Sequence, residues 1–282
     1  RLDVIETWGF ESDIKTDGAF VPDVVDYNGG FIMYVDEPGS GVGVISFSSN
    51  DGKIWTKDDG VRVANEENKE YSQSFESIAP DGTLYLFLQT REYKDGKKMS
   101  YYLSVSKSVD GLEFTLPEKI LTKEDFGGNH IAHGRVLQLD DGTYLLAASA
   151  GYGQFDPLVG PGSILAYSTD LQEWTFSSTF FTSCLDRTFT QTTSGVTLYC
   201  HFKEEGIIRF DSPDGYSWDT NSPVGRVTFL DADGVELGPE SYGWADDIDA
   251  YTFDDGTTRM FVSVHIGGQK ASVWSMLKEN EE

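Results

Sequence analysis

Ser49-Asn50-Asp51-Gly52-Lys53-Ile54-Trp55 returns three more times along the chain, as Ser108-Val109-Asp110-Gly111-Leu112-Glu113-Phe114, Ser168-Thr169-Asp170-Leu171-Gln172-Glu173-Trp174 and Ser212-Pro213-Asp214-Gly215-Tyr216-Ser217-Trp218. The shared pattern is Ser-x-Asp-Gly-x-x-aromatic at a period of about 45 to 60 residues. A repeat of that length among strand-like runs points to small sheets repeated around an axis, because one such unit cannot bury its own faces. The phrase itself reads as a turn. Its Asp accepts backbone donors, Gly takes a left-handed conformation, and the aromatic buries at the start of the next strand.

Outward from each phrase lies a hairpin: an apolar run, a turn ending in Gly, and a second apolar run. These are Val24–Gly29 into Phe31–Tyr34, Ser77–Gly82 into Leu84–Phe87, Val136–Gly142 into Tyr144–Leu146, Thr190–Gly195 into Val196–Tyr199, and Ala250–Gly256 into Met260–Val262. A third strand, such as Val42–Phe47 or Ser163–Tyr167, links hairpin to phrase. Each unit is therefore a four-stranded antiparallel blade. The fifth has its hairpin and third strand, Ala271–Met276, but no turn or fourth strand. The N-terminal segment Leu2–Phe10 has no role in the first blade, so it should complete the fifth and leave no raw edge.

The expected fold is all-β: one domain over 1–282, a five-bladed β-propeller closed by the N-terminal strand at 2–10. Its blades fall at about 17–65, 70–122, 128–181, 182–232 and 243–277. A six-bladed ring would need a sixth hairpin, and a sandwich would not need the fixed order of hairpin, strand, turn and aromatic.

Aromatic residues are 13 % and apolar residues 39 % of the 282, with no run of eighteen apolar residues. The formal net charge of −26 repels phosphate backbones and anionic lipid, which argues against nucleic acid and membrane as partners. Neutral sugars, cations or a basic partner remain compatible. The acidity also suits a soluble surface in an extracellular or periplasmic setting, and we expect a monomer there; a mature secreted chain would carry no signal peptide at Arg1. Cys184 and Cys200 lie on two strands expected to pair and are either one disulfide or two buried thiols.

First strands of the blades run beside the central channel. Counting back from the hairpin glycines sets Asp23, Glu76, Arg135, Thr188 and Asp249 at equivalent positions, with Val21, Ser74, His133, Asp186 and Asp247 two residues earlier on the same side. Strand interiors normally avoid Asp, so Asp23, Asp186, Asp247 and Asp249 break a local rule, as functional residues often do. They also read as solvated channel residues or partners of Arg135 and Arg187. Second strands end near Asp36, Arg91, Ala150, His201 and His265, which would rim the same mouth. Trp244 and Tyr152 are candidate sugar platforms, with Phe20, Tyr27, Tyr93, Phe155 and Tyr242 nearby. The four histidines and two cysteines show no His-x-x-x-His or Cys-x-x-Cys spacing, so we expect no zinc site and no cofactor. The run Asp246-Asp247-Ile248-Asp249 could hold a structural calcium ion but lacks a calcium-loop pattern.

Val21-Pro22-Asp23-Val24-Val25-Asp26-Tyr27-Asn28-Gly29-Gly30-Phe31-Ile32-Met33-Tyr34 and Leu165-Ala166-Tyr167-Ser168-Thr169-Asp170-Leu171-Gln172-Glu173-Trp174 together resemble the five-bladed propeller glycoside hydrolases, the arabinanase, xylosidase and invertase group. The phrase is similar to the Asp-box turns also seen in sialidases. The resemblance implies a base or nucleophile at the start of the first inner strand, which falls on Asp23, and a second Asp that orients substrate or tunes pKa, which falls on Asp186 or Asp247. It also implies a Glu acid in a later blade. The chain departs there, because the later inner strands start without Glu and the nearest candidate is Glu76 in blade two.

The function so implied is hydrolysis of a poly- or oligosaccharide by two carboxyl groups, one donating a proton to the glycosidic oxygen while the other activates water or attacks carbon. Arg91, Arg135 and Arg187, with His133, His201, His265 and Asp249, would bind substrate. A carbohydrate-binding propeller without chemistry, and a sialidase-like or lyase-like enzyme that clamps a carboxylated sugar with the arginines, are the alternative readings.

Overall fold

The first described strand, β1 (Val4–Asp13), is the one whose place the repeat leaves to inference. In the computed structural model, which describes residues 2–37, 42–122, 124–125, 131–150, 162–202, 205–237, 243–266 and 270–278, every regular element is a strand. Unit one comprises β2 (Phe20–Tyr27), β3 (Gly30–Glu37), β4 (Gly43–Ser49) and the short outer pieces β5 (Thr56–Lys57) and β6 (Val63–Ala64). Unit two is β7 (Lys69–Ile78), β8 (Leu84–Lys94), β9 (Lys97–Ser108) and β10 (Glu118–Thr122). Unit three is β11 (Ile131–Gln138), β12 (Tyr144–Ala150), β13 (Gly162–Ser168) and β14 (Thr175–Thr182). Unit four has β15 (Arg187–Thr192), β16 (Gly195–Phe202), β17 (Gly206–Ser212) and β18 (Gly225–Leu230), with β19 (Glu236–Leu237) beside β18. Unit five has β20 (Gly243–Thr252), β21 (Thr258–Ile266) and β22 (Ser272–Lys278).

Within each unit, consecutive strands pair antiparallel. Strand β1 pairs antiparallel with β22, Gly9 opposite Leu277 and Phe10 opposite Met276, and so completes unit five from the N-terminus. It also pairs parallel with β18, Trp8 opposite Phe229, which fuses units four and five into one nine-stranded sheet. The seam has its own polar clasp. Glu6, 5 % exposed, accepts from Trp8 Nε1, the Tyr199 hydroxyl, Arg209 and Lys278, so the buried carboxylate is fully satisfied.

First strands neighbour one another in a complete circuit: β2 with β7, β7 with β11, β11 with β15, β15 with β20, and β20 with β2. Five apolar clusters fill the five junctions. Phe75, Phe87, Ile131 and Leu146 join units two and three; Leu145, Phe181, Phe189 and Leu198 join three and four; Tyr199, Val227, Ile248 and Met260 join four and five. Val24, Met33, Phe253 and Phe261 join five and one, and Val25, Tyr34, Leu86 and Leu88 join one and two. Each fully buried side chain of this kind stabilises by about 1.5–3 kcal/mol, so the junctions carry most of the fold.

The recurring phrase turns between third and fourth strands. Asp51 Oδ1 accepts from the backbone N–H of Lys53 and Ile54, while Ser49 Oγ accepts from Gly52; Asp110, Asp170 and Asp214 repeat this. Three of the four phrases place glycine at the positive φ, where close packing also favours it, and Leu171 adopts that φ in the third. A Cβ on Gly52 would stand 2.2 Å from the Phe253 ring, and one on Gly111 would stand 2.5 Å from Ile32. In units one, two and four the phrase therefore also packs against the hairpin of the unit before it.

Cys184 and Cys200 form a disulfide, which settles the alternative left open by the sequence.

Candidate functional site

Near its start, the first strand of four units bulges. The register slips between Phe20 and Asp23, Ser72 and Phe75, Ala132 and Arg135, and Asp246 and Ile248. Within those slips Val21 (φ 58°), Gln73 (φ 50°), His133 (φ 42°) and Asp247 (φ 44°) adopt the left-handed conformation. For residues with a Cβ this costs about 1–2 kcal/mol each and persists only where the surroundings enforce it. For Val21 and Gln73 the enforcement comes from the second strand of the preceding unit. Ser263 Oγ accepts from Val21 N at 3.0 Å and Asp36 Oδ2 from Gln73 N at 2.5 Å, while Ser149 Oγ donates to Leu185 O at 2.8 Å just before β15. In unit two the bulge falls on Gln73 rather than Ser74, which puts Phe75 rather than Glu76 opposite the position of Asp23.

Below the bulges lies a deep tier. The inner edge of a first strand has no strand beyond it, so its N–H groups need other partners. Asp249 Oδ2 accepts from Val24 N at 2.8 Å, Asp23 Oδ2 from Glu76 N at 2.5 Å, and Thr188 Oγ1 from Ala250 N at 3.0 Å. Thr188 also donates to Asp249. Arg135 spans the axis. It donates to Pro22 O at 2.7 Å and Ile248 O at 3.3 Å, with Nε 3.4 Å from Asp23 and 3.6 Å from Asp249. Burial, reinforced by Asp249 and opposed by Arg135, pushes the Asp23 carboxyl up to about 8. Burial also raises Glu76 well above the carboxylate range, with the charges of Asp23 and Asp249 adding to it. The tier roofs a cavity of about 400 Å³, which runs to the exposed Asp26 and Gln138 beside the hairpins, away from the bulges.

Above it the side chains of the bulges make a second tier at the mouth. His133 Nδ1 stands 2.9 Å from Asp186 and 3.5 Å from Asp247, and His201 Nδ1 stands 3.3 Å from the other oxygen of Asp186. Burial alone would lower the His133 pKa, but Asp186 and Asp247 outweigh it and raise it to about 9. The same imidazoles hold Asp186 well below the carboxylate range against its burial. Gln73 meets His133 Nε2 at 2.5 Å; with its amide oxygen turned to the ring it accepts from an imidazolium. Asp36, 6 % exposed, is pushed up to about 7 by burial and by Asp247, and its Oδ1 has no hydrogen-bond partner. Arg187 is buried beneath, donating to His133 O and Ser149.

The sequence-derived candidates thus divide. His133, Asp186, Asp247 and His201 meet at the mouth; Asp23, Arg135 and Asp249 meet in the deep tier, with Glu76 on its cavity. Asp186 sits in the bend before β15 rather than within the strand. His265 is on the wall, edge-on to Phe20 with ring centroids 6.5 Å apart. Arg91 stands two residues beyond the bulge level on β8, ion-paired with Glu70 at 2.9 Å and over Tyr101. Tyr152, Phe155 and Tyr242, and the side chain of Trp244, lie outside the described residues. Gln73 escaped sequence reasoning altogether, since an exposed-type amide in a strand carries no signal of a bulge. Asp36 was legible only as a rim position.

No protein-family model matches this sequence, and no curated protein sequence does. Solved structures do match in three dimensions. A thermostable family-43 glycoside hydrolase superposes with a TM-score of 0.67 at 10% identity, over 94% of this chain and 90% of that one. An exo-β-1,3-galactanase from Clostridium thermocellum gives 0.68 at 13%, over 98% of this chain and 63% of that one. A protein of unknown function from Dyadobacter fermentans gives 0.64 at 14%, over 100% and 99%. At these identities the likeness is one of fold, and the chain shares the fold of family-43 glycoside hydrolases.

Proposed function

We propose that the five units close into a single five-bladed β-propeller over 1–282 and that its mouth hydrolyses a neutral poly- or oligosaccharide. The observation that carries the reading is Asp36: a buried carboxyl that keeps its proton near neutrality, with one oxygen unpartnered, beside the carboxylate of Asp247. That is the pairing a glycosidase needs, a raised-pKa acid next to an ionised partner. Asp36 donates its proton to the glycosidic oxygen as the bond to the anomeric carbon breaks, and Asp247 takes a proton from the attacking water. Asp186, itself held by His201, orients His133, whose Nδ1 stands 3.5 Å from Asp247. In this reading Asp23, Glu76 and Asp249 belong to the scaffold.

A carboxylated sugar is disfavoured because Arg91, Arg135 and Arg187 are each committed to separate partners and do not converge as a clamp. The shared fold with galactan-acting enzymes makes β-1,3-galacto-oligosaccharides the first substrates to try, followed by arabino- and xylo-oligosaccharides. The disulfide suits an oxidising compartment, so we place the protein outside the cytoplasm, as a monomer. A second reading, sugar binding without turnover, is favoured by the tight engagement of Asp186 between two imidazoles. An oligosaccharide screen decides between them. Turnover that vanishes in Asp36→Asn supports hydrolysis; calorimetric binding of a sugar with no products released supports the second reading.

A further inference from the structure

We propose that the junction between units four and five, at its hairpin end and apart from the mouth, is a second binding site that takes a neutral saccharide. The other four junctions are plugged by the recurring phrase of the later unit. Its aromatic ring stands, centroid to centroid, 5.7 Å from Phe261 for Trp55, 5.8 Å from Tyr34 for Phe114, 6.2 Å from Phe87 for Trp174 and 5.7 Å from Phe181 for Trp218. Unit five lacks the phrase. At its junction with unit four a cavity of about 700 Å³ remains, within the range of about 300–1,000 Å³ usual for small-molecule sites.

The residues of unit four match the opening. Ile32, Tyr85 and Leu145 stand opposite the residue that precedes the phrase, and each packs in the apolar cluster toward the next unit. The same place in unit four, opposite Asp211, is Thr197, which donates to the Asp211 carboxylate at 2.8 Å. Two residues further on, the Tyr34 hydroxyl of unit one donates to the phrase carbonyl of Gly111 at 2.8 Å. Its counterpart Tyr199 finds no phrase and donates to Glu6 at 3.1 Å instead. Polar side chains therefore line this junction where apolar ones fill the others.

The lining selects the ligand. Glu6 and Asp140 oppose Arg209 and Lys278, so the formal charges of the walls cancel in a chain whose net charge is −26. Arg209 is already held by Glu6 and by both oxygens of Asp211, and an incoming charged group would meet its own sign as readily as the opposite one. Around these charges stand the hydroxyls of Thr190, Thr192 and Thr258, and Gln191, whose Oε1 is buried with no hydrogen-bond partner among the described residues. An unmet buried acceptor costs about 1–3 kcal/mol, a cost that a hydroxyl donor removes. An uncharged ligand dense in hydroxyls fits these walls, which is the chemistry of a neutral mono- or disaccharide. It would be held by hydrogen bonds rather than by stacking, since Trp8 and Tyr199 are buried. The inference does not rest on turnover at the mouth.

The test is calorimetric titration of the full chain with sulfur-linked, uncleavable disaccharides of galactose, arabinose and xylose, and with digalacturonate as the charged comparator. At least one neutral disaccharide is expected to bind, and digalacturonate at least about 10-fold more weakly. Affinity for the neutral sugar should fall at least about 10-fold in Gln191→Leu and in Thr193→Trp, which blocks the cavity from its exposed rim, while both variants melt like the wild type. Sugar that also enters the mouth shows as a separate site that both variants keep. Equal affinity in all three proteins, no binding of any neutral disaccharide, or a preference for digalacturonate overturns the proposal. Should Gln191→Leu fail to fold, Thr193→Trp decides alone.

Discussion

Two tiers of polar side chains line the inner strands and their flanks, and they have opposite chemistry. In the deep tier, Asp23, Asp249 and Thr188 spend their oxygens on the backbone N–H groups of the next unit, and Arg135 ties the ring across the axis. At the mouth, carboxylates meet imidazoles, and Asp36 keeps an oxygen free of any partner. A buried acid is therefore no guide to catalysis by itself. Asp36 also accepts from Gln73 N on the next unit, so what sets it apart is the second oxygen, which meets no hydrogen-bond partner.

Breaking the deep ring should cost stability most. Arg135→Met removes the donor to Pro22 O and Ile248 O and the positive charge beside Asp23 and Asp249, and a loss of about 3–5 kcal/mol is expected by denaturant unfolding. A loss below 1 kcal/mol would show that the guanidinium does not hold the axis. Asp36→Asn should act on the other side of the comparison: turnover falls by about 10²–10⁴-fold while the unfolding midpoint moves little. Here the assay is kcat on the best oligosaccharide from the screen.

Smaller effects sharpen the contrast. Asp249→Asn keeps the shape but weakens the acceptor for Val24 N and the partner for Arg135, and about 1–3 kcal/mol should be lost. The pH dependence of stability follows from Asp23 and Glu76, both raised in the folded state. A raised pKa means the folded chain binds the proton more tightly, so its contribution is full below about pH 4, declines as pH rises, and for Asp23 is gone above about 8. Thermal melts at pH 5 and pH 9 should differ in that direction, with a shallower difference in Asp23→Asn. An equal slope in that variant would assign the effect to the net charge of the chain instead.

Much of this architecture was legible because its signals are local. The Asp turn, the hairpin glycines and the missing fourth strand of unit five are all short-range, and counting them places β1 beside β22. The parallel seam of β1 with β18 was not legible, since no turn or periodicity records it. Alternation along the first strands correctly gathered Asp23, Arg135 and Asp249, and likewise His133, Asp186 and Asp247. The roles were hidden because they depend on which N–H or imidazole stands opposite, a property of neighbouring units. The bulges were hidden too, since Val21, Gln73 and His133 are not residues that advertise a positive φ.

The most direct test sets Asp23→Asn against Asp36→Asn, measuring kcat and unfolding midpoint for each at a temperature well below both melts. The division into scaffold and mouth requires Asp23→Asn to retain activity with a shifted midpoint, and Asp36→Asn to lose at least about 10²-fold in kcat with its midpoint kept. Loss of turnover in Asp23→Asn with full activity in Asp36→Asn would contradict it and move the chemistry to the deep ring.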